Sequence, residues 1–117
     1  MKLYEIEYSD SVPVDGYGPG FFRIGGAVIH GAVLVLPDGV CGWDGFADPA
    51  PLLAAADQLD VVFVGTGADI AHLPDAFRTA LENAGLGVEP MSSPAACRTF
   101  NILLSEGRRV ALALLPV

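Results

Sequence analysis

Apolar residues follow two different patterns in the second half of the chain. Val61 to Val64 follow one another with no polar residue between them, which is typical of a strand covered on both faces. The segment RVALALLPV near residue 117 has the same character. We therefore expect VVFVG and VALALL to be central strands of a sheet.

Segments with helical periodicity separate these strands. We predict one helix in PDAFRTALENAG, opened by Pro74 and ended by Gly85, and another in SPAACRTFNILLSEG, with Ser93 as N-cap and Gly107 as the stop. The short segment LGVEPM between them reads as a strand. Alternation of strands and helices favours right-handed parallel connections.

The first half of the chain is predicted to be rich in β-structure. The segment LYEIEY alternates apolar and polar residues, which indicates a half-exposed strand over Leu3–Tyr8. We expect VDGYGPG to form a turn, and FFRIGG, AVIHG and AVLVLP to form a strand-rich block. The PDG turn should send VCGW back onto AVLVL as a hairpin, and DPAPLLAAAD should begin a helix with Asp48 as its N-cap.

Together these elements predict the fold class α/β. We expect residues 1–117 to form a single three-layer domain, with a mixed β-sheet, packed helices and a β-rich N-terminal half. Apolar residue types make up 52% of the 117 residues and charged types 17%. Such a composition supplies a large core and suggests that some apolar surface is buried against a partner.

Charge and cysteine usage limit the function classes. The net charge of −8 disfavours binding to nucleic acid and to anionic membranes. We expect no targeting segment and no membrane insertion, because the longest apolar run is far shorter than a membrane span. Cys41 and Cys97 are expected to be free thiols in a reducing cytoplasm.

Two segments could form an anion or ligand pocket. Gly65, Thr66 and Gly67 follow a buried strand, where clustered backbone amides can bind an anion, although the same sequence also suits a plain tight turn. Ser93 and Arg98 begin the helix of SSPAACRTFN, where free amides and a cation favour an anion, although capping alone also explains them. We predict that both segments, with Cys97, line one pocket.

Cys97 lies on the border between the apolar and polar stripes of this helix. It can be a small structural or pocket-lining residue, or the nucleophile of a small enzyme. Partial burial raises a thiol pKa, and a fading helix dipole opposes this only weakly, so we expect no nucleophile. His30 and His72 show no metal-ligand spacing, and we predict no catalytic residue, metal or cofactor.

Aromatic residues cluster in the N-terminal half. Aromatic side chains are enriched at protein interfaces, and a two-fold dimer is the commonest way to cover such a face. We predict that the chain contacts another protein, or a second copy of itself as a homodimer, through Phe21, Phe22, Trp43 and Phe46.

The segments FFRIGG, VGTG and AACRTFNILLSEGRRVALAL resemble a known family, the small uncharacterised bacterial and archaeal domain related to mitochondrial complex I assembly factor 3. The resemblance extends from about Tyr17 to Leu115, and Ser93 departs from it where threonine is expected. The most specific block is C-terminal and contains these matching residues: Met91, Ala95, Ala96, Cys97, Arg98, Thr99, Asn101, Glu106 and Arg108.

The resemblance implies a three-layer α/β fold and no established enzyme activity. Mitochondrial members of the family help to assemble respiratory complex I, and bacterial members often lie in operons with Sec translocation genes. It therefore implies a non-enzymatic protein-binding or assembly role, linked to complex I or Sec biogenesis. The alternative is a small enzyme or anion-binding protein that uses a pocket near Cys97 and Arg98.

Overall fold

A computed structural model describes residues 12–117 of the chain. The helices are α1 (Ala50–Ala54), α2 (Asp75–Asn83) and α3 (Ser93–Ser105), and a 3-10 turn at Ala56–Gln58 follows α1. The strand expected at Leu3–Tyr8 lies outside the described residues. The strands are β1 (Val14–Gly18), β2 (Phe21–Ile24), β3 (Ala27–His30), β4 (Val33–Leu36), β5 (Gly39–Gly42), β6 (Val61–Thr66), β7 (Gly87–Met91) and β8 (Val110–Leu115).

The main sheet has five strands in the order β5-β4-β8-β6-β7. Strand β6 runs parallel to β7 and β8, whereas β4 runs antiparallel to β5 and β8, so the sheet is mixed. Both VVFVG and VALALL lie in interior strands, as their unbroken apolar sequence predicts. The hairpin expected from the PDG turn is also present, with Leu36 paired to Gly39.

Helices and a second sheet cover the two faces of the main sheet, which confirms the three-layer α/β prediction. On one face, Val62 and Val64 pack with Leu52 of α1 and Phe77 of α2. On the other face, Phe63 belongs to a second core cluster. That cluster joins β-sheet residues to helix α3 and to strands β1 and β2 through Ala96, Cys97, Phe100, Val14, Phe22 and Ile24.

The second sheet contains β1, β2 and β3 in that order, joined as two antiparallel hairpins. The prediction of a turn over VDGYGPG is wrong. Val14–Gly18 forms strand β1, and only Pro19 and Gly20 make the loop. Three glycines in this segment suggested a turn. Pairing with the apolar residues of β2 keeps the backbone extended in spite of them.

Two predicted helix starts are each wrong by one residue. Helix α1 begins at Ala50 with Pro49 at the cap position, and the side chain of Asp48 does not cap it. Helix α3 is capped by Ser92, whose Oγ accepts a hydrogen bond from the Ala95 amide, so Ser93 lies inside the helix. Proline suits the first turn of a helix at more than one position, so it did not fix the start.

The end of α3 is where the sequence predicts it. Gly107 has a positive φ of 79°, and its amide donates to the Leu104 carbonyl, while the Arg108 amide donates to the Leu103 carbonyl. This pair of bonds is a Schellman motif, in which glycine adopts the left-handed conformation at low cost.

Candidate functional site

A cleft of about 230 Å³ lies between strand β1 and the first half of α3. Its position follows from the fold, because the three-stranded sheet and α3 cover the same face of the main sheet and meet along one edge of β1. The lining residues are Val14, Asp15, Gly16 and Tyr17 of β1 and Pro94, Cys97, Arg98 and Asn101 of α3.

Asn101 ties the two walls of the cleft together. Its Oδ1 accepts a hydrogen bond from the Val14 amide at 2.9 Å, and its Nδ2 donates to the Val14 carbonyl at 2.8 Å. The side-chain amide thus pairs with the edge of β1 as a neighbouring strand would. It satisfies two backbone groups that an edge strand otherwise leaves to solvent.

Cys97 lines the cleft and is buried, with 5% of its surface exposed. Burial raises the pKa of its thiol to about 12. The thiolate is the reactive form of cysteine, so Cys97 carries a protonated, weakly nucleophilic thiol at neutral pH. This chemistry suits a lining residue better than a catalytic one.

The two charged residues of the cleft differ in their contacts. The carboxylate of Asp15 accepts a hydrogen bond from the Gly26 amide at 3.0 Å, which ties it to the turn between β2 and β3. Arg98 is exposed on α3, one helical turn before Asn101 and on the same face. A cation therefore stands at the cleft wall beside the Asn101–Val14 contact.

The other predicted pocket residues lie elsewhere. The Ser93 side chain is fully buried, and its Oγ accepts a hydrogen bond from the Gly67 amide at 2.9 Å and donates to the Leu115 carbonyl at 2.6 Å. Thr66 Oγ1 accepts from the Ala71 amide. The Ser93 bonds hold α3 against the ends of β6 and β8, and the Thr66 bond holds the loop after β6. A ligand role for these residues stays a prediction.

The six predicted pocket residues therefore form two groups. Gly65 and Thr66 are the last two residues of β6, and the structure brings Ser93 to Gly67 directly after them. It brings Cys97 and Arg98 to the cleft. Sequence reasoning missed Asp15, Gly16 and Tyr17, because their segment was interpreted as a turn. Asn101 carried a signal, since it shares the polar stripe of α3 with Arg98.

The predicted aromatic interface residues are mainly packed inside the protein. Phe22 is fully buried and Trp43 is 7% exposed, and the Trp43 indole Nε1 donates to the Asp48 carbonyl. Phe46 is partly buried against Trp43 and Phe77, with ring centroids 5.6 and 5.1 Å away. Phe21 is half-buried beside His30. Contact of any of these residues with a partner stays a prediction.

Residues 12–117 show neither a metal-binding cluster nor a membrane-spanning helix. His30 and His72 are exposed, and no group of three or more His, Cys, Asp or Glu side chains is placed to hold a metal in this range. Across the same range, no helix has both the length and the apolar character needed to cross a membrane.

Residues 14–115 match the family described as "Protein of unknown function (DUF498/DUF598)". The chain belongs to this family. An uncharacterised protein of Rhodobacter capsulatus is 52% identical over 117 residues, which cover 100% of this chain and 94% of that protein.

Proteins called "NADH dehydrogenase [ubiquinone] 1 alpha subcomplex assembly factor 3" are more distant relatives. The Danio rerio protein is 32% identical and the Homo sapiens protein 31% identical, each over 123 residues and 99% of this chain. The alignments cover 71% and 67% of those two proteins, respectively.

Solved structures share the fold over nearly the whole described chain. A protein of Bartonella henselae, described as an outer membrane protein, superposes with a TM-score of 0.85 and 34% identity over 92% of this chain and 97% of its own. A Bordetella pertussis protein described as a "Mth938-like domain" superposes with a TM-score of 0.73 and 31% identity, over 90% and 85% of the two chains.

Proposed function

We propose that the protein is a non-enzymatic assembly factor that binds protein subunits during biogenesis of a membrane complex, with respiratory complex I as the first candidate. One observation carries the proposal: the similarity to the complex I assembly factors covers 99% of the chain. The similarity therefore includes the cleft and both layers around it. The whole of residues 1–117 is proposed to act as one domain.

The chemistry of the cleft supports binding more than turnover. Its one thiol, Cys97, is held in the protonated form by burial. Within residues 12–117, neither histidine lines the cleft, so an imidazole base does not stand beside this thiol. A nucleophile without a base or a lowered pKa is a poor catalyst.

We propose that the protein acts in the cytoplasm on the subunits of a complex before or during their insertion, and that it forms a homodimer. Light scattering coupled to gel filtration measures the second point directly. A mass equal to one 12.2 kDa chain at cellular concentration would remove the homodimer from the proposal.

Deletion of the gene in the organism to which the chain is native tests the assembly role. We expect less fully assembled complex I on native gels and less NADH:quinone oxidoreductase activity in membranes, both restored by the wild-type gene. Succinate:quinone oxidoreductase activity in the same membranes is the matched control and should not change. Normal levels of complex I in the deletion strain would contradict the complex I proposal.

Affinity purification from the same organism tests binding in general. We expect membrane-complex subunits to copurify with the tagged wild-type chain in amounts well above those retained by an unrelated tagged protein. A purified protein that converts a substrate at a rate dependent on Cys97 or Arg98 would instead favour the enzyme alternative.

A further inference from the structure

The outer edge of β1 carries backbone groups that face the cleft. Gly18 pairs with Phe21 across the two-residue loop, and such flanking residues form a hydrogen-bonded pair. Pairs alternate in an antiparallel ladder, so the amide and carbonyl of Tyr17 point away from β2. Outside the ladders, no hydrogen bond within residues 12–117 uses these two groups.

The contacts of Val14 agree with this alternation. A bulge between Val14 and Gly16 adds one residue to β1, so that Val14 and Tyr17 both face outwards. Val14 does so in the structure, since both its backbone groups bond to Asn101. Among residues 12–117, the edge of β1 is thus filled at Val14 by a side chain and open at Tyr17.

Gly16 lines the cleft and leaves this part of its wall without a side chain. A Cβ added at Gly16 would meet nothing within 4 Å, and the φ angle of Gly16 is not positive. Neither backbone conformation nor internal packing therefore requires glycine at this position. Glycine within a strand often marks a site where another backbone approaches closely.

We propose that the cleft binds the C-terminal end of a partner polypeptide, which adds to the edge of β1 as a short extended strand. This specifies the partner's chemistry for the proposed binding function and rests on that function. The main-chain groups of Tyr17 pair with the added strand, as in other proteins that bind peptides at a sheet edge. Gly16, which has no side chain, leaves space in the cleft for the side chains of that strand.

Two observations select a chain end over an internal segment. The Asn101 side chain occupies the edge at Val14, so an added strand cannot continue past that point. Arg98 lies one helical turn from Asn101 on the same face of α3 and supplies a cation where the strand stops. A terminal carboxylate fits this position, and the strand therefore runs antiparallel to β1.

Selection from a phage-displayed library of random ten-residue segments with free carboxyl ends provides the probes. Selected sequences are synthesised twice, with a free and with an amidated C-terminus, and titrated into 15N-labelled protein. We expect amide shifts concentrated in residues 14–17 and 94–101, and affinity at least about tenfold weaker for the amidated peptides, from loss of the charge-assisted hydrogen bond.

Two pairs of variants locate the site. Gly16→Val should fill the cleft and weaken binding about tenfold or more, whereas Gly42→Val, at another edge-strand glycine with open space around its Cβ, should leave it unchanged. Arg98→Gln should weaken the free-carboxyl peptides, whereas Arg108→Gln, beyond the end of α3, should not. The NMR spectra of each variant report directly whether it is folded.

Three outcomes would overturn the inference: no peptide is selected, amidation has no effect, or the shifts map away from the cleft. The deletion strain separates this failure from failure of the proposed function. Genes for the two glycine variants are introduced into that strain. If the Gly16→Val gene restores the level of complex I as fully as the Gly42→Val gene does, the assembly role stands and the cleft is not its binding site. If the wild-type gene itself does not change the level of complex I in the deletion strain, the assembly role fails.

Discussion

The small size of Gly65 allows α3 to lie close to the main sheet. A Cβ at this position would lie 2.6 Å from Ser93 Oγ and 2.8 Å from the Ser93 Cα. The second contact is with backbone, so the start of α3 would have to move. Gly65 lies inside strand β6, where the lack of a side chain permits this close packing.

The substitution Gly65→Ala should therefore destabilise the fold. We expect the free energy of unfolding to fall by about 1–3 kcal/mol, the usual cost of overpacking. Gly42→Ala is the control, since its Cβ would meet nothing within 4 Å, and it should change stability by about 0.5 kcal/mol or less. Urea denaturation measures both. Equal stability of the two variants would contradict the packing role.

The thiol of Cys97 should make stability depend on pH in the alkaline range. Its pKa rises from 9.0 to about 12 on folding, so between these values the unfolded chain loses a proton that the folded chain keeps. The stabilising effect is complete below pH 9 and is lost as pH rises towards 12. The slope is at most about 1.4 kcal/mol per pH unit.

Urea denaturation at several pH values above 9 checks this prediction, with Cys97→Ala as the comparison. The variant should show a smaller loss of stability with pH than the wild type, even if it is less stable throughout. Parallel slopes in the two proteins would mean that another group causes the loss. In the same range Cys41, which is exposed, should react with iodoacetamide faster than Cys97.

At the scale of elements, Ser93 connects α3 to two strands. Its hydroxyl bonds to the Gly67 amide after β6 and to the Leu115 carbonyl at the end of β8. Ser93→Ala removes both bonds and leaves buried polar groups without these partners, which should cost about 1–3 kcal/mol. Ser105→Ala, at the exposed end of the same helix, is the control and should change thermal stability little.

Asn101 holds the first strand against the same helix. Asn101→Ala removes both hydrogen bonds to Val14, so β1 should open locally more often. Hydrogen exchange measured by NMR should show reduced protection of the Val14 amide, with little change in β8. Asn83→Ala, at the exposed end of α2, should leave protection of Val14 as in the wild type. Unchanged exchange in Asn101→Ala would rule out the tether.

At the scale of the whole molecule, aromatic side chains join the loop after β5 to helix α2. Trp43, Phe46 and Phe77 form a set of tilted and edge-to-face contacts with ring centroids 5.1 to 5.8 Å apart. Trp43 also donates its indole N–H to the Asp48 carbonyl. These contacts secure a segment that has little regular structure of its own.

Loss of the Trp43 ring should therefore affect folding before it affects any binding. We expect Trp43→Ala to lower the free energy of unfolding by about 3–5 kcal/mol, as for other buried aromatic truncations. Ile70→Ala, at a side chain that is 66% exposed, should cost about 0.5 kcal/mol or less. If Trp43→Ala is as stable as Ile70→Ala, the ring does not belong to the core.

The sequence by itself determined the layers and the central strands of the protein. Unbroken apolar runs such as Val61–Val64 can be satisfied only between two covering layers, and helical periodicity identified α2 and α3. Gly107 could be assigned as a helix stop because positive φ is a local property of the chain. The resemblance of the C-terminal block also identified the family that the comparisons confirm.

Only the tertiary structure decided which side of an element each residue faces and what lies opposite. A cluster of aromatic residues in the sequence does not show whether their side chains point to the core or to the surface. In the structure, Phe22 and Trp43 pack inside the protein. The cleft brings Val14 to Asn101 across 87 positions of the chain. No local pattern encodes that contact, because it depends on how β1 and α3 cover one face of the sheet. Strand β1 itself was missed for the same reason, since pairing with β2 overrides the turn signal of its two glycines.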